Sequence, residues 1–140
     1  MPRSICLKLL VVVVALGFWG CNSNTTPTTP TTTPTPTMTT DTFQGTLNPN
    51  GAKTFSFALA AAGAVTATLT TVSPDSTLAI GVALGTWDGA ACTIAKADDN
   101  AAQGAILTVV ASGVGSVCVR VYDVGNLTAD ESFVVTVVHP

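Results

Sequence analysis

The stretch GSVCVRVYDVG, residues 115–125, restricts what this chain can fold into more than any other. Val117, Val119 and Val121 alternate with Cys118, Arg120 and Tyr122. Successive side chains of a strand point to opposite sides of its sheet, so a two-residue alternation marks a strand with two unlike faces. The valine row needs a core. The opposite row carries a thiol, a cation and a phenol and faces a wetter layer. Such a strand needs partners, and the residues from Thr42 onward supply them.

In DTFQGTL, Phe43, Gly45 and Leu47 alternate with polar residues, and NPNG (48–51) follows as a turn whose Asn-Gly suits positive φ. KTFSFAL places Phe55, Phe57 and Leu59 on one face, and AVTATLTTV does the same with Val65, Ala67 and Leu69. The alanine-rich segment 58–67 has helix propensity. Gly63 interrupts it, however, and the β-branched Thr66, Thr68, Thr70 and Thr71 favour a sheet. After the SPDS turn (73–76), TLAIGVALGTW shows Leu78, Ile80, Val82 and Leu84 on one face. Ala79, Gly81, Ala83 and Gly85 occupy the other, which ends at Trp87. Asp88-Gly89 turns into a short strand, 91–95, carrying Cys92 and Ile94. Residues 97–104 (ADDNAAQG) read as a polar loop. Residues 105–111 are apolar on both faces, the pattern of a strand covered on both sides. SFVVTVV closes the series with Phe133, Val135 and Val137. Eight short strands separated by turn signals predict an all-β chain, a small antiparallel β-sandwich of jelly-roll type. Its core rows are expected to be Phe43, Phe55, Phe57, Leu69, Ile80, Val82, Val119, Val121 and Val135. Strand order does not follow from the pattern.

The first 42 residues are of another kind. Arg3 and Lys8 precede an apolar run, 9–19, that ends at Gly20-Cys21. This is the layout of an export signal, and the run is shorter than the roughly 20 residues a membrane-spanning helix needs. The segment FWGC resembles the lipobox of bacterial lipoproteins, departing from it in Phe18, where leucine is usual, and in the bulk of Trp19. The resemblance implies that residues 1–20 are removed and that Cys21 is lipidated, anchoring the chain to a bacterial membrane in the cell envelope. An ordinary cleaved signal peptide is the alternative. Residues 22–42 are almost entirely Thr and Pro. Too little apolar surface is available there to offset the entropy of ordering, which predicts a disordered linker from Cys21 to residue 42. Its prolines extend it, so it serves as a spacer, and Thr/Pro stalks of this composition also accept O-glycans.

Removal of residues 1–20 leaves Lys53, Lys96 and Arg120 against eight acidic residues, a net charge of −5. A chain so poor in cations offers nucleic acid no electrostatic footprint. Cys6 leaves with the signal and lipid takes Cys21, so Cys92 and Cys118 remain for an exported chain, and one disulfide is the inference. A two-cysteine metal site would lack further ligands, since the single histidine is His139.

From Phe43 to Val138 the order of motifs, FQGTL, KTFSFAL, AGAVTATL, GSVCVRVYDVG and SFVVTVV, resembles the bacterial pre-peptidase C-terminal domain, a small β-sandwich often appended to secreted enzymes. The resemblance implies an accessory or binding role, with polymer binding known in some relatives and calcium binding in others. No calcium ligands map onto these positions. The sequence departs from the family in carrying no peptidase segment and in its Cys92/Cys118 pair.

No residue set here suits catalysis, which needs a poised acid, base, nucleophile or metal. Glu131 is the only glutamate, and Asp75, Asp88, Asp98, Asp99, Asp123 and Asp130 all fall in expected turns, where carboxylates bond local backbone. Asp98, Asp99 and Asn100 cluster oxygen ligands without the spacing of a calcium loop and read as a solvated turn. The sequon at Asn126 also reads as a turn. Trp87 and Tyr122 are the candidate binding residues, because aromatic side chains carry large contact area. Packing of Trp87 over the disulfide is the competing reading. The expectation is a non-enzymatic, cofactor-free, lipid-anchored binding or interaction module, its partner an envelope protein or an extended polysaccharide. A structural spacer lipoprotein with no specific ligand is the alternative.

Overall fold

A computed structural model describes residues 34–140. The expected export signal, the expected lipidation at Cys21 and most of the Thr/Pro stretch lie outside the described residues. Eight strands follow in order: β1 (Thr39–Leu47), β2 (Ala52–Leu59), β3 (Gly63–Ser73), β4 (Ile80–Trp87), β5 (Cys92–Ala101), β6 (Ile106–Ala111), β7 (Gly115–Tyr122) and β8 (Glu131–His139). They form two four-stranded antiparallel sheets, β1-β8-β3-β6 and β2-β7-β4-β5, and no helix occurs among the described residues. Each strand of the first half pairs with its counterpart counted from the other end: β1 with β8, β2 with β7, β3 with β6 and β4 with β5. This is a jelly roll, a long antiparallel ribbon wound once so that its two layers face each other.

The alternation of the sequence becomes the two faces of each sheet. Val119 and Val121 are fully buried and pack with Leu69, Ile80, Val82, Leu84, Phe133, Val135 and Val137. Each such side chain stabilises the fold by about 1.5–3 kcal/mol relative to exposure. Threonines fill solvent-facing rows, and Thr66 and Thr108, paired across β3 and β6, join hydroxyls at 3.1 Å. The NPNG turn uses Asn50 at φ 60°, and the Gly51 N–H donates to the Asn48 carbonyl at 2.8 Å. As expected, Cys92 and Cys118 form a disulfide, with 5.9 Å between their α-carbons.

The two sides of the sandwich where sheet edges meet are closed differently. At the β1/β2 side, Phe43 stacks on Phe55 at 5.1 Å and Phe55 meets Phe133 edge-on at 6.2 Å, so aromatic rings seal the gap. Phe43 and Phe55 are therefore half-buried sealing residues, whereas the rest of the expected core is fully enclosed. At the β5/β6 side a cleft remains.

Three local readings differ from the structure. β1 takes up Thr39 to Thr42, which composition assigns to the linker: the strand pairs with β8 along its whole length, and His139 Nε2 lies 3.1 Å from Asp41 Oδ2. β5 runs on through 97–101 instead of ending in a loop, because an edge strand can project Asp98 and Asp99 into solvent while Ala101 returns to the core. β6 is an edge strand, covered on one face only.

Candidate functional site

The outer face of the second sheet holds both aromatic candidates. Gly81 pairs with Tyr122, Ala83 with Arg120 and Gly85 with Cys118, so β4 and β7 are neighbours and Trp87 and Tyr122 share a face. Six residue steps along the strand separate Trp87 from the Gly81–Tyr122 pair, roughly 20 Å at 3.3 Å per residue. The two aromatics thus stand at opposite ends of the sheet and do not make one platform.

The Gly/Ala row between them is covered. The Tyr122 ring lies directly over Gly81, where any β-carbon would strike it. Backbone of β5 at Thr93 and Ile94 lies over Gly85, and Ala83 is buried. Tyr122 itself is engaged: its hydroxyl donates to Asp99 Oδ1, and the Arg120 guanidinium carbon lies 5.6 Å from the ring centre. Burial, with the Asp99 carboxylate beside it, pushes the Tyr122 pKa up to about 12. Trp87 is half-buried at the end of β4, opposite Cys92.

Most of the aspartates accept from nearby backbone, in turns or, for Asp98, within strand β5. Asp75 accepts from the N–H and hydroxyl of Thr77, Asp88 from the N–H groups of Ala90 and Ala91, and Asp98 from Asn100 N–H. Asp123 accepts from the N–H groups of Asn50, Gly125, Asn126 and Leu127, tying the β1–β2 turn to the β7–β8 loop. These bonds favour the ionised forms. The Thr77 hydroxyl lowers the pKa of Asp75, the Ala91 N–H that of Asp88, and the Asn50 N–H that of Asp123. Asp99 is spent on Tyr122.

An apolar opening remains at the β5/β6 side. A cleft of about 90 Å³ runs between the sheets, lined by Val65, Leu84, Ala95, Val109, Ala111 and Val117. Val110 borders it and also lines, with Val114, the adjoining hollow at the β6–β7 turn. Val110 is 81% exposed, Val114 74% and Ile106, on the same outward row of β6, 65%. Adjoining aliphatic groups left in water mark interaction surfaces, and Val110 and Val114 adjoin one another here. Lys96 reaches across from β5 and donates from Nζ to the Thr108 carbonyl at 3.2 Å.

The alternation places Val65, Leu84 and Val117 in core rows and does not point to Ile106, Val110 or Val114. The signal lies in ILTVVA, an uncharged strand apolar on both sides, a pattern that suggests cover on both sides although only one is covered. A comparison with protein-family models returns no match, and a comparison with curated proteins returns none either.

Proposed function

We propose that this protein is a non-catalytic, envelope-facing interaction module, held to a bacterial membrane by lipid on Cys21 and lifted from it by the Thr/Pro stretch. The FWGC junction supports the anchor, and the resemblance to the pre-peptidase C-terminal domain supports an accessory role. One observation carries the interaction reading: exposed Val110 borders an apolar cleft and shares the adjoining hollow with exposed Val114, Ile106 is exposed on the same row of β6, and the opposite side of the sandwich is sealed by phenylalanines. Exposed aliphatic groups that adjoin an apolar hollow, unlike ones scattered singly, are what an interaction surface leaves in water.

The test uses the full-length protein in its own envelope. Wild type is expected to incorporate labelled palmitate and to yield a cross-linked adduct, whereas Cys21→Ser loses the label and leaves the membrane fraction. Val110→Lys keeps the lipid and loses the adduct. Unlabelled wild type overturns the anchor. An adduct unchanged by Val110→Lys overturns the surface, and the absence of any adduct from wild type supports a spacer lipoprotein instead.

A further inference from the structure

We infer that the partner at this surface is a second copy of the chain, joined through the free edge of β6, and that Lys96 keeps the joint weak; the inference rests on the interaction reading above. Residue pairs of an antiparallel ladder alternate between bonded and non-bonded positions. The Leu69 N–H donates to the Ala105 carbonyl, so the bonded positions of β6 continue at Leu107, Val109 and Ala111. The backbone N–H and C=O groups of Ile106, Thr108 and Val110 therefore point away from β3, towards the open edge. The Lys96 contact to the Thr108 carbonyl and the hydroxyl contact between Thr66 and Thr108 both fit that alternation.

Charge and symmetry then select the occupant. Of the four edge strands, β1 carries Asp41, β2 carries Lys53 and β5 carries Lys96, Asp98 and Asp99, while β6 carries no charge. β6 is the one edge that pairs with its own copy without bringing a fixed charge onto either pairing strand. A two-fold axis at Thr108 sets Ile106 against Val110 of the second copy and Val110 against its Ile106. Both aliphatic groups that now face water thereby gain a branched cross-strand partner, the self-complementary arrangement that an isologous interface requires. The two sheets join into one of eight strands.

Lys96 competes with this pairing directly. At the two-fold the Thr108 carbonyl accepts from the Thr108 N–H of the other copy, so each Lys96 must release it, and the two ammonium groups then lie near the axis and repel. A lysine at a bare edge is a common guard against uncontrolled pairing. Here it leaves a reversible association that a membrane-tethered population favours by crowding copies into one plane.

Thr108→Cys tests the geometry. Opposed α-carbons of a bonded antiparallel pair lie about 5.5 Å apart, within the span of a disulfide. Full-length Thr108→Cys protein is expected to form a reducible dimer under mild oxidation, and Thr42→Cys, on the opposite edge, to stay monomeric. Lys96→Ala should tighten self-association roughly tenfold, since two competing hydrogen bonds are removed per dimer. Lys53→Ala, which alters net charge equally, should leave it unchanged. Thermal midpoints near that of wild type confirm that each variant is folded. A folded Thr108→Cys protein that does not dimerise, or equal effects of Lys96→Ala and Lys53→Ala, overturns the inference. If Val110→Lys still abolishes the envelope adduct in that event, the interaction reading stands with a different partner; if it does not, both fall.

Discussion

The carbonyl of Thr93 occupies the place where a β-carbon on Gly85 would stand. This close approach explains how the disulfide forms at all. Cys92 and Cys118 lie on β5 and β7, which flank β4, and strands separated by one neighbour are roughly 9.5 Å apart. Their α-carbons are only 5.9 Å apart because β5 shifts register between Leu84 and Gly85 and folds over the outer face of β4. Glycine leaves the room.

Gly85→Ala is therefore expected to destabilise the oxidised protein by about 3 kcal/mol, since backbone rather than a movable side chain stands in the way. Removing both cysteines by Cys92→Ser and Cys118→Ser should cost about 3 kcal/mol through the loop of 26 residues they close. In that cysteine-free background β5 can lift away, so Gly85→Ala should cost about 1 kcal/mol less than in wild type. Urea unfolding of the four proteins gives the cycle. Strict additivity would mean that the glycine and the disulfide are unrelated.

Tyr122 gives a spectroscopic check on the other end of the same sheet. It is the chain's single tyrosine, so its ionisation can be followed without overlap from other phenols. Its midpoint should lie near pH 12 instead of the usual 10, and Asp99→Asn should lower it by removing the carboxylate, while burial keeps it above the ordinary value. Because the folded pKa is the higher one, the stabilisation is complete below pH 10 and is lost as pH rises towards 12. A midpoint at 10 in the folded protein would remove Tyr122 from its place over Gly81.

Much of this architecture is legible in the sequence. Alternation identified Val119, Val121, Leu69 and Val135 as core because a strand's faces are written in its period. The cysteine pair followed from elimination. What pattern cannot carry is neighbourhood. ILTVVA states that both faces of β6 are apolar, yet cover depends on which strand lies next to it, and on the outward side of the last strand none does. The row Ala79, Gly81, Ala83 and Gly85 left open whether small residues mean a bare strip or close cover, and the Tyr122 ring and the β5 backbone provide the cover. Thr39 to Thr42 look like linker because composition averages over a tract, whereas pairing with β8 acts residue by residue.

Asp123 makes the fold sensitive to acid. Its carboxylate holds four backbone N–H groups from two loops, and those bonds depress its pKa below the usual carboxylate value. A depressed folded pKa stabilises above the unfolded value near 3.8 and loses that contribution as pH falls through the folded one. Asp123→Asn should therefore shift acid unfolding, followed by circular dichroism, to a higher pH, and amide exchange at Asn50 and Leu127 should quicken. An unchanged acid midpoint would assign the linkage to Asp75 and Asp88, whose carboxylates are depressed in the same way.

The contrast between the two sides of the sandwich makes the sharpest demand on stability. Phe55 is half-buried, stacks on Phe43 and meets Phe133, so Phe55→Ala opens the sealed side and should cost about 2 kcal/mol, less than a fully enclosed phenylalanine. Val110 is a similarly apolar residue at the other side, but it touches water over most of its surface, and Val110→Ala should change stability by no more than about 0.5 kcal/mol. Denaturant midpoints of the two variants against wild type decide the matter. A small loss at Phe55 with none at Val110 would leave the sealed side unexplained. A loss at Val110 as large as that at Phe55 would make the β6 row a structural element of the monomer, and the exposed aliphatic surface would no longer need a partner to account for it.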